Sequence, residues 1–194
     1  MILFFIVAYL IGSIPFGKIV TKILTNKDIT QTGSGNIGAT NVYRSVSKKA
    51  GVIVLLLDAI KPIIALLVIE YFDPNFFSKF KYLIFFFSIT GHIFPIWLKF
   101  KGGKGVACYF GGFLILSPIV TIFAMGIWLL TVKFSKLSSL GALLSIFLLT
   151  TYELIFIYGN LNKVIIFVIS VLIFLKHSSN IKRLIKGKEN KINL

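Results

Sequence analysis

Between Thr32 and Arg44 the chain reads TGSGNIGATNVYR, with no acidic residue inside it. Residues of these types bind anions. Gly33, Gly35 and Gly38 lack the Cβ that restricts φ, so successive backbone N–H groups can turn inward and form a concave nest. Ser34, Asn36, Thr40 and Asn41 would surround it with neutral donors, and Arg44 adds a planar guanidinium suited to holding phosphate oxygens through two bonds. A second cluster, KFKGGKG from Lys99 to Gly105, offers the backbone of Gly102 and Gly103 and the point charge of Lys104. It precedes an apolar stretch from Val106 whose helical N-terminus would also favour an anion. A third group lies in the basic tail, where His177 and Asn180 share a helical face at i, i+3 spacing and Arg183 follows one turn later.

Several chemistries are excluded by what surrounds these residues. Gly33-x-Gly35-x-x-Gly38 matches a dinucleotide fingerprint, but polar Asn26 to Gln31 precedes it where a strand would be required. The lysine and glycine cluster lacks the Walker A pattern, since position 98 is Leu and position 105 is Gly. Cys108 is the single cysteine, and His92 and His177 lie far apart with no nearby acid pair, so no metal site and no cofactor are expected. Ser34 and Cys108 are the candidate nucleophiles, and neither has a base beside it in sequence.

The elements that must position these groups are membrane spans. Of 194 residues 57% are hydrophobic and 20 are Phe, above the composition of soluble domains. The net charge of +15 is dispersed in short clusters between apolar runs, which suits anionic lipid or a small anionic substrate and argues against nucleic acid. Ile2–Leu24 reads as a first span, without the basic n-region or cleavage site of a signal peptide, and Gly12, Ser13, Pro15 and Gly17 predict a break in its second half. Val52–Phe72, Tyr82–Leu98, Leu140–Tyr158 and Val164–Leu175 follow, with Val106–Val132 interrupted at Ser117-Pro118. If that interruption is a turn, Val106–Leu116 reaches only about 16 Å, and the Gly102–Gly105 loop must sink toward the membrane beside protein or a cavity. Seven spans place only Lys79, Lys81 and Lys163 outside, with Lys61 inside the membrane and the remaining cations within. Six spans put the tail outside; five restore it. The expectation is an all-α polytopic bundle forming one domain over 1–194, seven spans most of all, N-terminus outside and C-terminus cytoplasmic. Asp58 and Lys61 share a face inside the second span, as a structural ion pair or as support for a site.

GSGNIGATNVYR (Gly33 to Arg44), GHIFPIWLKFKGGKGVA (Gly91 to Ala107) and KHSSNIKRLIKGKE (Lys176 to Glu189) resemble the three signature segments of the bacterial acyl-phosphate:glycerol-3-phosphate acyltransferases, the PlsY family. GSIPFG (Gly12 to Gly17) and Asp58/Lys61 are similar to family features. The resemblance implies a seven-helix enzyme of the bacterial inner membrane, with its site on the cytoplasmic face. Its partners would be acyl phosphate and glycerol 3-phosphate, its product lysophosphatidic acid, and a monomer is expected in the bilayer. The resemblance also implies that Ser34 and the Gly33/Gly35 backbone help hold phosphate. Arg44, Lys104 and Asn180 would contact the phosphorylated substrates, and His177 would sit beside the reacting hydroxyl, with either His177 or a substrate phosphate taking the proton. Asn36, Asn41, Gly102, Gly103 and Arg183 complete the expected binding set. Thr30, Pro62, Cys108 and Lys176 depart from the family pattern, and Pro62 bears on the geometry around Lys61. Two other classes fit less well. An anion transporter would need a repeat to build an outward gate, and a CDP-alcohol phosphotransferase would need more than the three aspartates present.

Overall fold

Long apolar runs without a charged residue leave the backbone one economical solution in lipid, an α-helix that satisfies its own N–H and C=O groups. The computed structural model describes residues 1–192, and among them the regular structure is helical throughout. The helices are α1 Ile2–Ser13, α2 Phe16–Thr25, α3 Ala39–Ser45, α4 Lys48–Phe72, α5 Pro74–Ile93, α6 Val106–Leu116, α7 Pro118–Ser135, α8 Ser138–Phe156, α9 Asn160–Lys176 and α10 Ser178–Ile185. Five stretches are long and apolar enough to cross a membrane, six if bent α9 and α10 count as one, and α6 is a shorter apolar helix. The chain is a multi-pass membrane protein. The contacts of the chain fall into two compact units, Met1–Gly112 and Phe113 onward, with α6 running from the first into the second.

In the first unit the expected break of the first span falls at Ile14-Pro15. Pro15 has no N–H and fixes its own φ, so α1 ends and the Ile14 carbonyl is left outside it. Lys61 Nζ donates to that carbonyl at 3.0 Å. α1 runs beside α5 in the same direction: Phe4 packs on Phe76 at one end, with ring centroids 5.1 Å apart, and Gly12 lies against the Ser88 backbone at the other. A Cβ at Gly12 would strike the Ser88 carbonyl, the close approach that small residues provide where lipid supplies no hydrophobic drive between helices. Ser47 caps α4 through the Ala50 N–H, and Asp73 caps α5 through the Phe76 N–H with Pro74 in the first turn. α4 therefore returns antiparallel to α5. The end where α1 and α5 finish and α4 begins carries Lys18, Lys22, Lys27, Arg44, Lys48, Lys49, Lys99, Lys101 and Lys104; Lys79 and Lys81 lie near the start of α5.

Pro62 sits inside α4 without ending it. Its missing N–H would have bonded the Asp58 carbonyl, and the Cys108 thiol of α6 donates to that oxygen at 3.1 Å. The helix is repaired from its neighbour, and Lys61 stays on the buried face.

In the second unit Ser117, with φ −151° and ψ 69°, separates α6 from α7, so the Ser117-Pro118 interruption is a helix break. α7, α8 and α9 pack in chain order. α9 bends by 59° into α10 at His177, and the chain after α10 folds back on the start of α8, where the Ile192 N–H donates to the Lys136 carbonyl at 2.8 Å.

Candidate functional site

The first glycine loop rests on its own small core. Ile29, Ile37, Val42, Ala50 and Val54 are buried together, with Val20, Ala39, Val46 and Leu98 packed around them, so the turn at Leu98 lies beneath the same loop. Gly33 and Gly35 take φ of +60° and +69°, as the nest requires, whereas Gly38 is extended at φ −71° and caps α3. The loop is organised around Asn41, 5% exposed. Its Oδ1 accepts the Ser34 N–H at 3.0 Å, and its Nδ2 donates to the Thr32 and Asn36 carbonyls, each at 2.9 Å. The Gly35 N–H goes to the Thr32 carbonyl at 3.1 Å and the Gly38 N–H to Asn36 Oδ1 at 2.8 Å. The Ser34, Gly35 and Gly38 amides and the Asn41 side chain are thus spent inside the loop, where an open nest was expected. What the loop presents outward is the exposed Ser34 and, on α3, the exposed Arg44. Asp28 secures its entry. The Thr30 N–H, then the Thr30 hydroxyl and Lys18, hold its carboxyl down at about 2.

The second glycine cluster folds back on the end of α5. The Gly102 N–H donates to the Ile93 carbonyl at 3.2 Å and the Gly103 N–H to the His92 carbonyl at 3.1 Å, so these donors too are satisfied by protein. They cap the last turn of α5, and Lys104, half-buried, follows them, with Lys99 and Lys101 exposed. Beneath it, Asp58 and Lys61, each 2% exposed, form the ion pair that their spacing anticipates, at 2.8 Å. His92 joins them, its Nδ1 2.9 Å from Lys61 Nζ.

The tail of the second unit is tied by a residue to which the sequence reading gave no task. Glu189, its side chain 3% exposed, accepts from Asn180 Nδ2 at 2.6 Å and from Ser139 Oγ at 2.9 Å on one oxygen. Its other oxygen accepts from Arg183 Nε at 2.7 Å. Burial raises its carboxyl, but these hydrogen bonds and the guanidinium outweigh that and hold it below the usual glutamate range. Arg183 therefore serves first as the partner of Glu189. Asn180 has its amide nitrogen on the carboxylate, which turns its oxygen the other way. His177, buried at the bend, lies 2.8 Å from the Ile173 carbonyl through Nδ1. A carbonyl only accepts, so Nδ1 carries a proton. Glu189 was visible as the one acid in a basic tail. Nothing in its spacing showed that three side chains would converge on it.

The family model for glycerol-3-phosphate acyltransferase matches residues 2–187. The chain belongs to that family. Relatives named glycerol-3-phosphate acyltransferase include one from Bartonella henselae, 45% identical over 98% of this chain and 90% of its own. Another, from Ehrlichia chaffeensis, is 41% identical over 97% and 95%. The fold is similar to the crystal structure of PlsY (YgiH), an integral membrane glycerol 3-phosphate acyltransferase, in its glycerol 3-phosphate form. The TM-score is 0.88 at 33% identity, covering 99% of this chain and 95% of that one. A second structure of PlsY, in a lysophosphatidic acid form, gives a TM-score of 0.85. Among the described residues no three His, Cys, Asp or Glu come together in an arrangement able to hold a metal ion.

Proposed function

We propose that this chain transfers a fatty acyl group from acyl phosphate to the sn-1 hydroxyl of glycerol 3-phosphate, yielding lysophosphatidic acid and inorganic phosphate. The observation that carries the reading is the match of the whole chain to a glycerol-3-phosphate acyltransferase whose structures include glycerol 3-phosphate and lysophosphatidic acid forms. The match runs across both compact units, which supports treating 1–194 as one acyltransferase domain. What the chain offers supports acyl phosphate as the donor. An acyl phosphate is an activated mixed anhydride with a stable anionic leaving group, and each phosphorylated substrate calls for cations and hydroxyls rather than a protein nucleophile.

In the first unit, Ser34 and Arg44 on the Asn41-tied loop and Lys104 after Gly102 and Gly103 hold phosphate. In the second, His177 and Asn180 act on the acceptor: Nε2 takes the hydroxyl proton and the Asn180 oxygen accepts from the acceptor's hydroxyls. The alcohol oxygen then attacks the acyl carbon. A C–O ester bond forms, the bond from that carbon to the phosphate oxygen breaks, and phosphate departs as the anion. The cations supply the charge stabilisation that the transition state demands. The concentration of basic residues near one end of the first unit, and in the tail of the second, supports a cytoplasmic placement of these groups in the inner membrane of a bacterium. Seven spans and a monomeric enzyme complete the proposal.

The experiment is to purify the chain and offer glycerol 3-phosphate with acyl phosphate, acyl-CoA or acyl-carrier protein in parallel. Lysophosphatidic acid formed from acyl phosphate, and from neither other donor, is the expected result. Product from acyl-CoA alone would assign the family fold a different donor in this chain.

A further inference from the structure

The reaction uses neither Lys61 nor His92, yet both are buried and charged or polar at the end of the first unit that carries the glycine segments. The Lys61 ammonium has three protons and three acceptors: Asp58 Oδ1 at 2.8 Å, the Ile14 carbonyl at 3.0 Å and His92 Nδ1 at 2.9 Å. An ammonium donates and never accepts, so His92 Nδ1 presents a lone pair and the neutral ring carries its proton on Nε2. The 3.5 Å from Nδ1 to Asp58 Oδ1, outside ordinary hydrogen-bond range, agrees with that assignment. The Nε2 edge faces Gly103, where a Cβ would run into Nε2, Cε1 and Cδ2 of the ring. The backbone of the same histidine accepts the Gly103 N–H, so ring and carbonyl together form the seat of the segment.

We propose that Lys61 and His92 are positioning residues for Lys104. A simple ion pair would be complete with Asp58 and Lys61. The additional bonds of Lys61 instead run to the Ile14 carbonyl at the α1 break, which also accepts the Phe16 N–H, and to the ring under Gly103. One ammonium thus couples the break in the first span, the buried face of α4 and the end of α5. Lys104 is the residue after Gly103, so a ring that swings loose moves the backbone carrying the phosphate-holding cation. This role rests on the acyl transfer proposed above, although the clamp itself does not.

The test uses the full chain in detergent, with lysophosphatidic acid kinetics and amide hydrogen exchange across 99–105 measured on the same samples. His92→Phe keeps a flat ring and removes the acceptor for Lys61. It is expected to lower kcat/KM roughly tenfold or more, as misplacement of a substrate-holding group does. It should also speed exchange across 99–105 while leaving exchange in α8 unchanged. Wild-type kinetics together with wild-type exchange in that segment would overturn the proposal. Should His92→Phe fail to fold, Gly103→Ala supplies the second arm: its added methyl should cost about tenfold in the native background and under about threefold beside His92→Ala, which removes the obstructing ring. Additive losses would equally overturn the coupling. A wild-type chain that made no lysophosphatidic acid, while His92→Phe still loosened 99–105, would overturn the proposed function and leave the clamp standing.

Discussion

The Thr32–Arg44 loop of the first unit is held by a neutral amide, Asn41, whereas the Lys176–Glu189 tail of the second is held by a carboxylate, Glu189. Both are buried hubs with three or more bonds; those of Asn41 are all local, whereas Glu189 also reaches Ser139 at the start of α8. The amide both donates and accepts, so it can tie backbone to backbone within a tight turn. The carboxylate only accepts, so it gathers donors: an amide, a hydroxyl and a guanidinium. The first device is indifferent to pH and leaves Ser34 and Arg44 exposed; the second titrates and holds Arg183 and Asn180 in place. The difference gives a means of loosening one region without the other.

The largest effect is expected from Glu189→Ala. It deprives Asn180, Ser139 and Arg183 of their shared acceptor, and a buried polar group left unmatched costs about 1–3 kcal/mol, more where charge is involved. Limited proteolysis should show cleavage after α10 that the wild-type chain resists, and acyl transfer should fall more than tenfold. Asn41→Ala comes next. It strands the Asn36 carbonyl and the Ser34 N–H and leaves the Thr32 carbonyl with the Gly35 N–H alone, but no charge is unpaired, so a loss on the order of 2 kcal/mol is expected. That is read as a lower thermal midpoint in detergent and a raised KM for the phosphorylated substrates. If Asn41→Ala proved the more damaging, the contrast between neutral and charged hub would be reversed.

Acid should separate the two regions more gently. Because folding lowers the Glu189 pKa, its stabilisation is fully present above the ordinary carboxylate range and is lost as pH falls through the folded value. Amide exchange in α10 should therefore accelerate toward low pH before exchange in α3 does. Simultaneous loosening would mean that the tail has another anchor.

How legible these devices were depends on how local they are. The long membrane helices followed from apolar runs, although α5 begins at Pro74 and not at Tyr82, and the breaks at Ile14-Pro15 and Ser117-Pro118 followed from proline chemistry, because both are decided by adjacent residues. The Asp58–Lys61 pair was readable for the same reason, since three residues on a helix fix a shared face. His92 joins that pair from another helix, and Cys108 reaches the carbonyl that Pro62 strands, contacts that no spacing along the chain announces. The glycines were read correctly as sites of unusual backbone at Gly33 and Gly35, but composition does not say where an N–H points. At Gly35, Gly38, Gly102 and Gly103 it points back into protein. Glu189 is the clearest case of a residue whose type was plain and whose partners were not.

Direct transfer from acyl phosphate to glycerol 3-phosphate is the central expectation for this chain. The deciding measurement gives the purified chain radiolabelled acyl phosphate, first alone and then with glycerol 3-phosphate, and denatures each sample before separating protein from lipid. The prediction is no label on the protein in the first sample and labelled lysophosphatidic acid in the second. Label retained covalently on the protein and chased into product by glycerol 3-phosphate would contradict it.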